Sequence, residues 1–234
     1  MTMKVEFWSD IVCPWCYIGK RRFEKALSQF EHQDQVEVIW RSFELDPSSS
    51  RVGEDIVESL TNKFGKSTSE VKQMTEQIAA LAAQDGLEYR FDLMKSGNSF
   101  DAHRLLHLSV EQGLHKNFNE LLYKSYFTDG MLVGDLDSLK KIAAEAGLDS
   151  AEVNRVLESD AYADKVRDDE ARASSLRVNG VPFVLVDDKY AISGAQSVEV
   201  FLDTLRKGWI ETHPLTMVGN PEDGNSCEGG NCII

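Results

Sequence analysis

The chain has 234 residues, 42% of them apolar, which is enough for one large domain or for a domain with an insertion. It carries 25 Lys and Arg against 39 Asp and Glu, so its formal net charge at pH 7 is −14. Because this charge repels phosphates and anionic lipids, neither nucleic acid nor a membrane surface is an expected partner. No apolar run approaches the ~20 residues of a membrane span, and the first residues lack a signal-peptide pattern, so we expect a cytoplasmic protein.

The first distinctive pattern is Cys13-Pro14-Trp15-Cys16, which lies between a short apolar run and an amphipathic run. Residues 4–9 predict a strand, and residues 14–30 predict a helix because their apolar side chains recur with helical spacing. The apolar face of this helix consists of Phe23, Ala26, Leu27 and Phe30. The two cysteines are therefore expected where a strand leads into a helix.

A sulfur atom at the first turn of a helix is stabilised as a thiolate by unpaired N–H groups and by the helix dipole. We expect the basic residues Lys20, Arg21 and Arg22 to add to this positive field. The thiolate is the nucleophile in disulfide exchange. The spacing predicts Cys13 as the attacking, more exposed sulfur and Cys16 as the resolving one. A bare Cys-x-x-Cys also serves zinc sites, but the strand–motif–helix context favours redox chemistry.

The remaining chain begins with a second predicted strand over residues 36–43, which completes a βαβ unit whose two strands should be parallel. A hairpin over 181–186 and 189–192 and a final helix over 198–209 close the pattern, and residues 87–91 predict a short extended piece. Helix caps are predicted at Ser67-x-x-Glu70, Asn98, Asp135 and Asp149-x-x-Glu152. The helices predicted between the second strand and the hairpin are 54–64, 69–84, 99–112, 115–128, 136–146, 150–158 and 160–177.

This order of elements resembles an α/β thioredoxin fold with an inserted all-α helical domain, the arrangement of DsbA-type oxidoreductases, and in particular their FrnE-like branch. The resemblance covers about residues 3–210. The stretches that carry it are Phe7-Trp8-Ser9-Asp10 with Cys13-Pro14-Trp15-Cys16, Phe43-Glu44-Leu45-Asp46-Pro47, 98–105, Gly180-Val181-Pro182-Phe183-Val184 and Ile192-Ser193-Gly194-Ala195-Gln196. It implies a thioredoxin-like domain over 1–50 and 160–212, a helical insertion over 51–159, and a flexible tail over 213–234.

The resemblance also implies roles for single residues. Pro182 is expected to form a cis peptide bond that faces the catalytic cysteines, and Val181 to present its backbone to an extended substrate. Apart from the resemblance, Trp15, which lies between the cysteines, is a candidate substrate contact or an aromatic residue that simply packs on the helix. His103 is expected to line the cleft above Cys13.

Several alternatives stay open. Cys227 and Cys232, a Cys-x4-Cys pair that some FrnE-like proteins share, could be a second redox pair, a structural or sensing disulfide, or two thiols without a role. His103 and His107 are spaced as a metal pair, but the helix around them favours ordinary histidines, so no metal is expected. Lys20, Arg21 and Arg22 could also form a solvated face.

The function predicted from these patterns is thiol–disulfide oxidoreduction by mixed-disulfide exchange, with disulfide isomerisation as a candidate further activity. Its partners would be protein or small-molecule thiols and disulfides, with no cofactor and with glutathione as a candidate co-substrate. One alternative is a glutathione-dependent transferase or isomerase of the kappa-class or hydroxychromene-carboxylate type, whose members usually carry Ser at the position of Cys13. Another is a zinc-binding protein that uses all four cysteines. The oligomeric state stays open.

Overall fold

The computed structural model describes residues 2–214, so Cys227 and Cys232 lie outside the described residues. Its four-stranded sheet has the order β2-β1-β3-β4. β1 and β2 are parallel, with Phe7 opposite Trp40, whereas β3 runs antiparallel to both of its neighbours. The strands are β1 (Met3–Ser9), β2 (Val36–Ser42), β3 (Phe183–Val186) and β4 (Tyr190–Ser193).

Helix α1 (Pro14–Ser28) connects the two parallel strands, and α9 (Val198–Thr212) follows the hairpin. Between β2 and β3 the chain forms helices and one isolated β-bridge, Asp55 with Lys95, but no strand, so the predicted α/β fold with a helical insertion is confirmed. The division into domains at particular residues stays a prediction. No helix among residues 2–214 is long and apolar enough to cross a membrane. The helices of the insertion are α2 (Ile56–Phe64), α3 (Thr68–Gln84), α4 (Phe100–Glu111), α5 (His115–Phe127), α6 (Leu136–Ala146), α7 (Ser150–Leu157) and α8 (Ala163–Ser175).

Three helices begin with the cap that the sequence predicts. Ser67 and Glu70 form the complete capping box of α3, and the carboxylates of Asp135 and Asp149 accept backbone hydrogen bonds at the starts of α6 and α7. Asn98 is not the N-cap of α4, because that position belongs to Ser99, but its side chain accepts a hydrogen bond from the first helical N–H group. Residues 87–91 form no strand, so the extended piece predicted there does not join a sheet.

Helix α1 is shared between two apolar clusters, and this sharing fixes the position of the cysteines. Its C-terminal half, including Phe23 and Ala26, packs with residues of the sheet and of α9. Its N-terminal half, including Tyr17 and Ile18, packs with residues of the helical insertion. The start of α1 therefore lies against the insertion, and the Cys-x-x-Cys motif lies there.

Candidate active site

Cys13 is the N-cap residue of α1, with φ −90° and ψ 114°, and Pro14 is the first helical residue. The Cys16 N–H donates to the Cys13 carbonyl at 3.0 Å, which closes the first turn around the motif. The hydroxyl of Tyr89, from the insertion, donates to the Pro14 carbonyl at 2.7 Å. The strand-to-helix position predicted for the cysteines is therefore the observed one, and both are free thiols.

The two sulfurs have different surroundings, although both side chains are buried. Cys13 is 3% exposed and lines a cavity, whereas Cys16 is fully buried. Burial raises the pKa of the Cys16 thiol well above its usual value, and the hydrogen bond and charge of Cys13 raise it further. The expected difference in exposure is small in area, but only Cys13 faces a space that a substrate could enter.

Val181 and Pro182 lie beside the Cys13 sulfur. The Cys13 thiol donates to the Val181 carbonyl oxygen, with the sulfur 3.5 Å away, and the Val181–Pro182 peptide bond is cis, as the resemblance implies. Gly19 of α1 permits this contact, because a Cβ atom there would lie 2.9 Å from Cγ of Pro182. Helix α1 and the loop of Pro182 thus pack closely at Gly19, where there is no room for a side chain.

A cavity of about 340 Å³ opens beside Cys13, between the motif and helices α2 and α3, and we call it the front cavity. Two aromatic side chains in its wall are solvent-exposed, Trp15 at 39% and Phe64 at 51%. Its charged lining residues are Asp46 and Lys63. The apolar lining residues include Val12, Leu45, Ile56, Leu60, Met74, Ile78, Phe91 and Met94. The cavity is therefore suited to an apolar group attached to a reacting sulfur.

The basic residues of α1 are engaged in ion pairs. Lys20 is 2% exposed and pairs with Glu120 at 2.6 Å and with Glu24 at 3.0 Å, so it is no solvated residue. Arg21 pairs with the same Glu120 at 2.6 Å, and Arg22 pairs with Asp85 at 2.8 Å. Because each cation has a carboxylate partner, the cluster ties α1 to the insertion. Its contribution to the positive field at Cys13 stays a prediction, beside that of the helix terminus.

His103 does not line the front cavity. It is 1% exposed and lies in the core, where its Nε2 is 3.4 Å from Oδ1 of Asp10. His107, one turn later, faces other partners, Oδ2 of Asp169 at 3.2 Å and the Ser42 hydroxyl at 3.3 Å. The two imidazoles therefore do not converge, and residues 2–214 hold no group of three or more metal-ligating side chains placed to bind a metal ion.

Two residues near the motif escaped the sequence analysis. Asp10 is fully buried, and its Oδ2 accepts the Leu45 N–H at 2.7 Å. Tyr89 closes over the motif from the insertion, as described above. The sequence does contain a signal for Asp10. It directly follows a buried strand and precedes Cys13 by three positions, and a carboxylate buried at such a place requires a polar partner. No local signal marks Tyr89, because its contact with Pro14 spans 75 positions.

Comparisons with known proteins agree with this geometry. A model of the DSBA-like thioredoxin domain matches residues 4–206. The uncharacterized protein YwbO of Bacillus subtilis is 31% identical over 203 residues, which are 86% of this chain and 94% of YwbO. The crystal structure of a probable DsbA oxidoreductase from Streptomyces coelicolor shares 44% identity and a TM-score of 0.87, with 99% of each chain covered. The cytosolic disulfide reductase DsbM of Pseudomonas aeruginosa, solved with GSH, has the same fold at 13% identity, with a TM-score of 0.62 over 87% of this chain and 98% of DsbM.

Proposed function

Because the chain belongs to the DSBA-like thioredoxin domain family, we propose that it catalyses thiol–disulfide exchange through Cys13 and Cys16. The observation that carries this proposal is the position of Cys13. Its sulfur lies at the N-terminus of α1, in the wall of the front cavity, 3.5 Å from the Val181 carbonyl oxygen. A nucleophile, a stabilising helix terminus and space for a substrate meet there.

The reaction proceeds in two exchanges. The Cys13 thiolate attacks one sulfur of a substrate disulfide, a Cys13–substrate disulfide forms, and the other substrate sulfur leaves as a thiolate. Cys16 then attacks the Cys13 sulfur, the Cys13–Cys16 disulfide forms, and the second substrate thiolate leaves. The substrate gains two electrons and the enzyme loses two. The same steps in reverse oxidise a substrate dithiol, and incomplete resolution permits isomerisation.

The environments of the two sulfurs favour this order of events. Burial and the neighbouring Cys13 together raise the pKa of the Cys16 thiol, so Cys16 stays protonated while Cys13 is a thiolate. Once Cys13 is held in a mixed disulfide, its charge is gone and one cause of the raised pKa disappears. Cys16 therefore becomes a better nucleophile when its attack is needed.

We propose that the preferred substrates are disulfides flanked by apolar groups, as in an unfolded or flexible protein segment. The front cavity is apolar, and Phe64 and Trp15 expose rings at its edge. The backbone of Val181 would align the segment beside Cys13. Glutathione, with two carboxylates, would find one lining cation, Lys63, among the described residues, and is a weaker candidate.

For Cys227 and Cys232 we propose a second redox pair that exchanges electrons with Cys13 and Cys16. The support is the Cys-x4-Cys spacing in the sequence alone, since both residues lie outside the described part of the chain. The double variant Cys227→Ser, Cys232→Ser should change the turnover of the first pair if the relay operates. An unchanged turnover with every physiological reductant tried would remove the proposal.

We also propose a cytoplasmic location. The support is that one protein of the same fold is called a cytosolic disulfide reductase. Fractionation of cells that express the native gene tests this, and recovery of the protein outside the cytoplasmic fraction would contradict it.

The exchange itself is tested with insulin reduction and with the refolding of scrambled ribonuclease. Cys13→Ser should lose at least about a thousandfold in rate, because a hydroxyl is a poor nucleophile for disulfides at neutral pH. Ser125→Ala, which alters a buried hydroxyl of α5 that does not line the front cavity, is the control for folding and handling. A Cys13→Ser protein that retains either activity would rule the proposed function out.

A further inference from the structure

Helix α8 contacts the sheet and the segment after β2 through a row of charged side chains. Arg172 binds the buried Glu6 of β1, and Arg167 binds the carboxylate of Glu44 at 2.6 Å. Asp169 is the buried member of this row and is 2% exposed. Because charge-assisted hydrogen bonds are directional, these contacts fix how α8 lies on the strands.

The Asp169 carboxylate uses both of its oxygens. Oδ1 accepts a hydrogen bond from Nη1 of Arg41 at 2.8 Å, and Oδ2 accepts one from the Ser42 N–H at 2.9 Å. Nε2 of His107, from α4, lies 3.2 Å from Oδ2. The indole N–H of Trp8 donates to the Asp169 backbone carbonyl oxygen at 3.0 Å. Asp169 thus joins α8 to both parallel strands and to α4.

The segment after β2 leads from this contact to the front cavity. Ser42 is the last residue of β2, and Leu45 and Asp46 line the cavity. Between them, the Glu44 N–H donates to Oε1 of Glu170, the residue after Asp169, at 3.3 Å. This wall of the cavity is therefore attached to α8 through neighbouring residues.

The chain that follows α8 leads to the other segment beside Cys13. Gly180 and Val181 line the front cavity, and the Val181 carbonyl oxygen lies 3.5 Å from the Cys13 sulfur. Val181 packs against a small buried cluster to which β1, α8 and β3 contribute. The members of that cluster are Trp8, Ala173, Val178 and Leu185. A shift of α8 would therefore move Val181 relative to Cys13.

We propose that Asp169 is a positioning residue, whose carboxylate holds α8 so that the segments of Leu45 and Val181 lie correctly beside Cys13 for an extended peptide substrate. This inference rests on the proposed function. Asp169 does not line the front cavity, so it acts on substrate binding through the two segments and not on the sulfur. A misplacement of about 1 Å in groups that orient a substrate is enough to weaken an enzyme markedly.

Asp169→Asn tests the role of the carboxylate. Because both oxygens accept hydrogen bonds, the NH₂ group of an asparagine would face a donor in either orientation, Arg41 in one and the Ser42 N–H in the other. Arg41 keeps Glu6 as a partner at 2.6 Å, so the substitution leaves no unpaired cation in the core. We therefore expect a folded protein in which α8 has lost its fixed position.

A comparison of two substrates separates positioning from a general structural effect. Reduction by dithiothreitol, corrected for the uncatalysed rate, is measured for a peptide disulfide flanked by leucine and phenylalanine and for hydroxyethyl disulfide, which has no flanking backbone. Asp169→Asn should raise KM for the peptide about tenfold and leave kcat unchanged, because binding is lost equally in the ground and transition states. Turnover of hydroxyethyl disulfide and the alkylation rate of Cys13 by iodoacetamide should be unchanged.

Arg41→Lys is the second variant. It keeps the charge, but one ammonium group cannot replace a guanidinium that binds Glu6 and Asp169 through separate nitrogens. It should raise the same KM about threefold, and it decides the question if Asp169→Asn does not fold. Glu111→Gln is the control, since Glu111 also binds α8, at Lys165, but both side chains are about half exposed. It should change neither substrate.

The outcomes separate this inference from the proposed function. If the native chain reduces neither substrate faster than dithiothreitol alone, the proposed function fails. If it reduces both, and Asp169→Asn and Arg41→Lys leave KM for the peptide unchanged, Asp169 does not position the substrate site. Equal losses for the two substrates, or a fall in the alkylation rate of Cys13, would mean a general disturbance of the fold and would also overturn the inference.

Discussion

The front cavity beside Cys13 differs in almost every property from a small cleft between α4, the ends of β1 and β2, and the start of α5, which we call the histidine cleft. The front cavity, at about 340 Å³, is apolar and exposes aromatic rings, whereas the cleft, at about 10 Å³, is lined largely by polar side chains, among them three histidines. They share no lining residue, and of the two cysteines only Cys13 lines the front cavity. The comparison teaches that one turn of helix separates a sulfur that faces an apolar cavity from a sulfur that is enclosed in the core.

The largest expected difference concerns the two thiols themselves. At pH 7 iodoacetamide should alkylate Cys13 at least about a thousand times faster than Cys16, because Cys16 is fully buried and burial raises its pKa. Both rates are measured by quenching the alkylation reaction at successive times and quantifying the alkylated peptides by mass spectrometry. Similar rates for the two cysteines would break the comparison. Cys13→Ser shows whether Cys16 reacts at all when it is the remaining thiol of the motif.

The cleft predicts an effect on stability with pH. Burial, Lys20 and His107 lower the pKa of His115 from about 6.5 to about 4, so the unfolded chain binds this proton at a higher pH than the folded one. The corresponding stability is fully present above pH 6.5 and is lost as the pH falls toward 4, by an amount on the order of 3 kcal/mol. Urea unfolding of the native chain and of His115→Gln between pH 4 and 7 measures it. The variant should show a flatter dependence, and two parallel curves would contradict the prediction.

The front cavity predicts a smaller effect on substrate choice. Phe64 is 51% exposed at its edge, so Phe64→Ala should cost little stability. For a peptide disulfide flanked by leucine and phenylalanine, the variant should lower kcat/KM about tenfold, because about 1.4 kcal/mol of apolar contact is lost. For a peptide disulfide flanked by serine, kcat/KM should change little.

Val52→Ala is the matched control for Phe64→Ala, since Val52 is 82% exposed and does not line the cavity. Equal losses for both peptides, or for both variants, would show that the cavity does not select apolar substrates.

The smallest expected effect comes from the basic residues of α1. Arg21 is bound to Glu120 at 2.6 Å, so Arg21→Gln should change the alkylation rate of Cys13 by less than about twofold and stability by less than about 1 kcal/mol. A large fall in Cys13 reactivity would restore the idea that this cluster activates the thiol. Glu120→Gln, which frees the cations, should increase the reactivity if charge reaches the sulfur at all.

Much of the fold could be predicted because local signals agreed with one another. Turn residues, capping side chains and apolar spacing placed every strand of the sheet and every helix of the insertion within a few residues. Residues 87–91 show the limit, since their alternation resembles a strand, yet their backbone hydrogen bonds join Ala82, Leu93 and Phe127 rather than a neighbouring strand. Alternation cannot reveal that no neighbouring strand is present.

The candidate site could be predicted only where local sequence signals mark its residues. Cys13, Cys16 and Pro182 belong to recognisable local patterns, and Trp15 and Val181 lie beside them in the chain. The place of His103 depends on which side of α4 faces the motif, and the state of Lys20 depends on Glu120, 100 positions away. Such long-range partners decide whether a charge acts on the thiol or is neutralised, and no local pattern contains them.

The central claim is that Cys13 is the sulfur that joins the substrate. It is tested most directly by Cys16→Ala in the full chain, mixed with a peptide that contains one apolar-flanked disulfide and analysed by peptide mass spectrometry. The account predicts a stable adduct on Cys13 in stoichiometric yield, which dithiothreitol releases. An adduct confined to Cys227 or Cys232, or no adduct while the native chain remains active, would contradict it.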